Sequence, residues 1–193
     1  MTQWLSHRMV ERGIIKEEEQ ELYQFGIRNG IILLLNVVTA LVIGLLTEQL
    51  AVVAVFTLSF MVLRSYTGGY HSDSRIFCYL GSNLVLLVPV YTQAVFYKTS
   101  LAWLLAVLLV SAGIIFLLSP MHSKNRKLDK EEQKHFGRKA RLIAALELVV
   151  LGILWHAGQI PYAYAVYTGI CITALFMLIG KAQLWIQSHT ENR

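Results

Sequence analysis

The 193-residue chain is 55% hydrophobic and only 15% charged, with a mean hydropathy of +0.53, a balance too apolar for a soluble domain and suited to a bilayer. Its net charge of +5 would suit nucleic acid, but the basic residues flank apolar runs and have no aromatic readout module around them. They are read as topology signals, and no nucleic-acid partner is expected.

The opening MTQWLSHRMVERG is charged and mixed. It lacks the apolar core and small-residue cleavage site of a secretory signal, so this end is expected to stay, and to stay inside. Two short helices are expected before the first span, one around Trp4 to Arg12 and one around Lys16 to Phe25, separated by Gly13. Trp4, Leu5, Met9, Leu22 and Phe25 beside Arg8, Arg12 and the Glu17 to Glu21 run form either interfacial amphipathic helices or a solvated tail. As interfacial helices they would offer a lateral docking surface for a membrane-bound peptide.

Six apolar runs follow, at Ile31 to Leu46, Leu50 to Leu63, Ile76 to Phe96, Leu101 to Leu118, Leu142 to Ala157 and Tyr162 to Gly180. The expected fold is all-α, a polytopic membrane bundle of about six transmembrane helices preceded by the amphipathic pair; four spans with two shallow segments is the competing count. The chain then divides into an N-terminal interfacial part, 1–29, a transmembrane part, 30–181, and a tail, 182–193. Leu50 to Leu63 is the shortest run, about 21 Å of helix against about 30 Å of hydrocarbon, so its Arg64 end sits below the headgroups unless Ser65 to Thr67 extend it.

With six spans and the N-terminus inside, every Lys and Arg except Lys98 falls on the cytoplasmic side, as the positive-inside rule requires. The connection 119–141 is the most basic stretch, and reads either as a topology signal with anionic lipid contact or as a capture surface for an acidic peptide. Glu147 lies inside the fifth run, about 9 Å beyond Arg141 along a helix. It could orient His71 as a third member of a catalytic group, pair with Arg64, or hydrogen-bond Asn83 or Asn36; structural roles are favoured. Cys171 and Pro89 are read as packing features, the two cysteines as free thiols, and His122 and His135 lack partners at metal-ligand spacing, so neither a metal nor another cofactor is expected.

The stretch with the densest chemistry is Arg64 to Cys78, RSYTGGYHSDSRIFC, a polar island between the second and third runs. Cys78 is a candidate nucleophile and His71 its base, since an imidazole that takes the thiol proton is the common route to a thiolate near neutral pH. Seven positions apart on one helix they would be separated by roughly 10 Å of rise, beyond hydrogen-bond reach. The backbone must bend, and Gly68-Gly69 with Ser72-Asp73-Ser74 provide a turn and helix-capping residues. Cys78 then falls in the first turn or so of a helix starting near Ser74, where N–H groups favour an anion. Arg64 is placed to face a developing oxyanion.

Arg64, Gly68-Gly69, His71, Ser74 and Cys78, set between membrane segments of a chain of this length, closely resemble the accessory gene regulator protein B (AgrB) endopeptidases of Gram-positive bacteria. The resemblance extends over most of the chain in hydropathy and is specific in this one loop. It implies a multi-pass cell-membrane cysteine peptidase, termini and active site cytoplasmic, that trims an AgrD-like propeptide with an amphipathic helix and an acidic tail. It implies Cys78 as nucleophile, His71 as base, and Arg64 and Gly69 as further residues needed for activity. A Cys78 thioester would be resolved by an internal nucleophile of the peptide, closing a ring that serves as a quorum-sensing autoinducer. The family also suggests a homodimer. The competing reading is a small peptide transporter or exporter in which the same His and Cys are incidental; no convincing internal repeat supports it.

Overall fold

The computed structural model describes residues 2–68, 75–121 and 129–190. Among these the secondary structure is helical: α1 (Thr2–Glu11), a 3₁₀ turn (Glu17–Glu19), α2 (Gln20–Leu46), α3 (Leu50–Thr67), α4 (Arg75–Tyr91), α5 (Gln93–Lys98), α6 (Leu101–Leu118), α7 (Lys130–His156) and α8 (Ile160–Thr190). The all-α expectation holds.

Two compact units divide the chain, Met1–Thr39 and Ala40–Arg193. In the first, α1 leaves Trp4 and Leu5 exposed while Ser6 and Ile15 are buried, and the Arg8 guanidinium lies 4.7 Å from the Trp4 ring. The Lys16 amide donates to Glu19 Oε2 at 3.2 Å, which opens the 3₁₀ turn. The second short helix expected around Lys16 to Phe25 is not separate: from Gln20 onward it is the first part of α2. Leu22 to Phe25 supply helix-compatible residues with no breaker, and once nucleated an α-helix propagates at little cost per residue.

In the second unit α8 is the central helix. Of its apolar window 67% is buried, against 33% for α3 and 22% for α6; α3, α6 and α7 each pack on it. One layer of the core gathers Val53, Phe56, Phe96, Tyr164 and Ala165. The next gathers Leu63, Ile115, Ala144, Ile170 and Met177. Among the buried residues of α3, Val52, Phe56, Ser59, Leu63 and Thr67 recur every three or four positions, the spacing of one helix face, and α3 packs most extensively on α8.

Helix ends follow local chemistry. Asp129 caps α7 by accepting from the Glu132 amide at 2.7 Å, and Glu132 reaches back to the Asp129 amide at 3.4 Å, a reciprocal capping box. At the other end Gly158 has φ +72°, and Gly158 N–H to Trp155 O at 3.1 Å with Gln159 N–H to Leu154 O at 2.9 Å closes a Schellman motif. The expected run Ile76 to Phe96 is divided between α4 and α5, with Pro89 inside α4; proline removes a ladder donor and crowds the preceding turn.

Among the described residues, five helical stretches are long and apolar enough to cross a membrane: Glu17–Leu46, Leu50–Thr67, Tyr79–Lys98, Leu101–Leu118 and Ile160–Ile186. The fifth expected run, Leu142 to Ala157, is the apolar half of α7. Lys139 and Arg141 at the end of its basic half, with Glu147 inside the apolar half, keep α7 outside that set.

Candidate active site

α3 extends through Ser65 to Thr67, with the Ser65 hydroxyl donating back to Met61 O at 2.7 Å. The helix end is closed by Gly68, whose amide donates to Arg64 O at 3.3 Å. Arg64 Nη1 donates to Gly68 O at 2.7 Å, and the guanidinium sits 5.1 Å from the Phe176 ring on α8. Arg64 therefore braces the point where the chain leaves α3, a basic group over carbonyl ends that favour it.

Gly68 has φ +71° and ψ −151°, a region open essentially to glycine alone. Space requires glycine as well: a Cβ here would lie 2.6 Å from Met121 O. The Met121 amide donates to Thr67 O at 2.9 Å, and Thr67 is fully buried. The end of α3 and the bend after α6 are thus joined backbone to backbone.

Gly69, His71 and Ser74 lie outside the described residues. α4 starts at Arg75, which makes Cys78 its fourth residue. Since α3 and α4 pack against each other and only 68–74 connect them, Cys78 and Arg64 belong to the same end of this helical hairpin. That shared end is the arrangement the described residues provide. The relation of the Cys78 thiol to His71 falls outside them.

Glu147 hydrogen-bonds neither Asn83 nor Arg64; its partner is Ser59, whose hydroxyl donates to Oε2 at 2.7 Å. The Asn83 and Asn36 side-chain oxygens are buried without a hydrogen-bond partner among the described residues. Ser59 and Glu147 line an apolar cavity of about 680 Å³ between α3, α7 and α8, with Leu58, Val62, Val150 and Tyr162. Sequence reasoning missed Ser59. The signal was available, because Ser59 occupies the buried stripe of α3 between Phe56 and Leu63, where a hydroxyl within a membrane span needs a partner.

At the same end of the bundle as Arg64, α7 presents its basic half. Arg141 Nε donates to Phe116 O at 3.0 Å and Nη2 to Ser119 O at 3.5 Å, so Arg141 satisfies carbonyls at the end of α6. Lys139 Nζ lies 5.9 Å from the Tyr66 ring. Residues 122–128, including His122, lie outside the described residues. On α8, Cys171 is a free thiol of intermediate burial, and its chain neighbours Ile170 and Ile172 are both buried.

An all-α chain with five membrane-crossing helices and a chemistry-rich connection at one end is a polytopic membrane protein. The family described as Accessory gene regulator B, AgrB, matches residues 1–179, and the chain belongs to that family. It is similar to an AgrB-like protein 2 of Clostridium perfringens, 25% identical over 131 residues that cover 65% of this chain and 61% of the relative. It is also similar to the accessory gene regulator protein B of Staphylococcus intermedius, 26% identical over 121 residues, 63% of this chain and 62% of the relative. The matched stretch thus spans about three fifths of these relatives' length. No solved structure matches.

Proposed function

We propose that this chain is an integral membrane cysteine endopeptidase that removes the C-terminal part of an AgrD-like propeptide and promotes closure of the remainder into a cyclic autoinducing peptide. The observation that carries this reading is family membership over residues 1–179 together with the Arg64 to Cys78 pattern, which falls on the connection between two packed helices.

In the proposed reaction His71 takes the proton of Cys78, and the thiolate attacks a backbone carbonyl of the membrane-bound precursor. N–H groups of the loop and Arg64 stabilise the tetrahedral oxyanion. The C–N bond then breaks, His71 returns the proton to the leaving amine, and the N-terminal part remains as a thioester on Cys78. A cysteine or hydroxyl side chain of the peptide attacks that thioester, closes the ring and releases the Cys78 thiol. Thioester-for-thioester exchange is close to thermoneutral, so closure needs no nucleotide. Gly68 and Gly69 are proposed to give the loop its bend and Ser74 to cap the helix that follows, while the hydrogen bond from the Ser59 hydroxyl to Glu147 links α3 to α7.

The working arrangement has residues 1–29 at the interface, 30–181 as the transmembrane peptidase and 182–193 as a tail. The site faces the cytoplasm of a Gram-positive cell, and the chain acts as a homodimer. Co-expression with its precursor, with cleaved peptide measured by mass spectrometry, tests the chemistry: Cys78→Ala and His71→Ala should abolish cleavage while Cys171→Ala retains it. Unchanged cleavage by Cys78→Ala overturns the proposal.

A further inference from the structure

Where α6 ends and the basic half of α7 begins, a cavity of about 610 Å³ opens, lined by Leu117, Ser119, Lys134, Arg138 and Arg141 among others, and by no carboxylate among the described residues. Lys134, Arg138 and Arg141 are spaced i, i+4, i+7, so they share one face of α7. Arg141 is fixed in place by the Phe116 and Ser119 carbonyls, which take two of its five N–H groups. Gly137 permits the close approach that forms the cavity wall, since a Cβ there would meet Pro120 Cδ at 2.9 Å.

Two further observations point to an amphiphilic anion. Ser119 is only 4% exposed, and its hydroxyl has no hydrogen-bond partner among the described residues. A buried hydroxyl left unpaired costs free energy that a ligand oxygen would recover. Leu117, on the same wall, is 83% exposed at the end of a membrane-crossing helix. The lining therefore grades from a lipid-facing leucine to three cations within the chain segment where α7 turns from basic to apolar at Leu142, the level of phospholipid headgroups.

We propose that this cavity binds the phosphate of an anionic phospholipid, with Lys134, Arg138 and Arg141 around the phosphodiester, the Ser119 hydroxyl donating to it, and an acyl chain along Leu117. A peptide carboxylate would use the cations but not the leucine wall. Met121 of the same bend donates its amide to Thr67 O, so a bound headgroup steadies the segment on which the end of α3 rests. The binding itself does not depend on the peptidase reading.

The test uses the full chain in a non-ionic detergent, titrated with phosphatidylglycerol, phosphatidylcholine, inorganic phosphate or a Glu-rich peptide, with bound species counted by native mass spectrometry. Phosphatidylglycerol should be retained in preference to all three others. Lys134→Gln/Arg138→Gln should weaken it by about 30-fold, roughly fivefold per cation. Ser119→Ala should weaken it by about tenfold with an unchanged melting temperature, because that hydroxyl has no internal bond to lose. Lys139→Gln/Lys181→Gln, removing equal charge outside the cavity, should leave it within about twofold. Equal weakening by both double variants would mean diffuse charge and no site. Inorganic phosphate or the acidic peptide binding as well as the lipid, with the same variant dependence, would likewise overturn the assignment.

Discussion

The Met121 amide donates to the Thr67 carbonyl at 2.9 Å, tying the bend after α6 to the last residue of α3. Gly68, the residue at which the chain departs toward His71 and Cys78, is pressed between that bond and Arg64. The base of the proposed catalytic loop is therefore held from two sides before the loop begins, and this arrangement generates the first prediction.

Gly68→Ala should impair the protein even though Gly68 carries no chemistry. Its φ of +71° and the 2.6 Å approach of a Cβ to Met121 O together should cost about 1–3 kcal/mol and reduce precursor cleavage at least tenfold, roughly the rate effect of 1.4 kcal/mol. Thermal unfolding and a cleavage assay on the same preparation check this. Wild-type behaviour in both would show that the α3 end tolerates repacking.

Arg64 braces Gly68 O and lies over Phe176. Phe176→Leu removes the ring without touching the loop, and should lower stability by about 0.5–1 kcal/mol and cleavage by a few-fold. Arg64→Lys keeps the charge but loses the planar fork and the stacking, so it should fall well short of rescuing activity. Full activity of Arg64→Lys would reduce the residue to a simple positive charge.

The Ser59–Glu147 pair is read as a structural link between α3 and α7. Glu147→Gln retains an acceptor for the Ser59 hydroxyl and should leave cleavage within a few-fold. Ser59→Ala should cost about 1–2 kcal/mol in unfolding, since it leaves a half-buried carboxyl without its donor. If Glu147→Gln abolished cleavage at an unchanged melting temperature, Glu147 would belong to the chemistry.

Gly169 lets α8 approach α3 closely: a Cβ there would meet Ser59 Oγ at 2.5 Å and Phe60 N at 3.4 Å. Gly169→Ala should cost about 1–3 kcal/mol through overpacking and disturb the Ser59 bond. Gly152→Ala on α7 meets nothing within 4 Å and should be neutral or stabilising by up to about 1 kcal/mol. Comparing the two melting temperatures separates close packing from helix propensity.

Tyr164 hydrogen-bonds Thr92 and packs on Phe96 with ring centroids 4.8 Å apart. Tyr164→Phe should lower stability by about 1 kcal/mol while leaving cleavage unaffected, since the aromatic layer belongs to the other core cluster from Leu63 and Met177. Lost cleavage with intact stability would tie that layer to the site.

Much of the helical plan could be read from hydropathy. α6 coincides with its apolar run, Leu101 to Leu118, because Ser100 and Ser119 bound it directly. α3, α7 and α8 run well past their apolar runs, since backbone hydrogen bonding continues through polar residues until a cap or a breaker stops it; hydropathy records where lipid ends, not where the helix does. Arg64 was legible as a residue near the loop, but its bond to Gly68 O was not, because that geometry depends on how α3 terminates.

What the residues determined alone is periodic and local: the class of fold from apolar runs, the turn-forming Gly68-Gly69 pair, and the cluster of reactive types between Arg64 and Cys78. What only the tertiary structure decided is who meets whom across the bundle: Ser59 with Glu147, Thr67 with Met121, Arg141 with the α6 carbonyls. Those pairings depend on the rotation and depth at which helices pack. Within a bilayer such choices are set by close contacts of small residues such as Gly169 and by the need of each polar group for a partner.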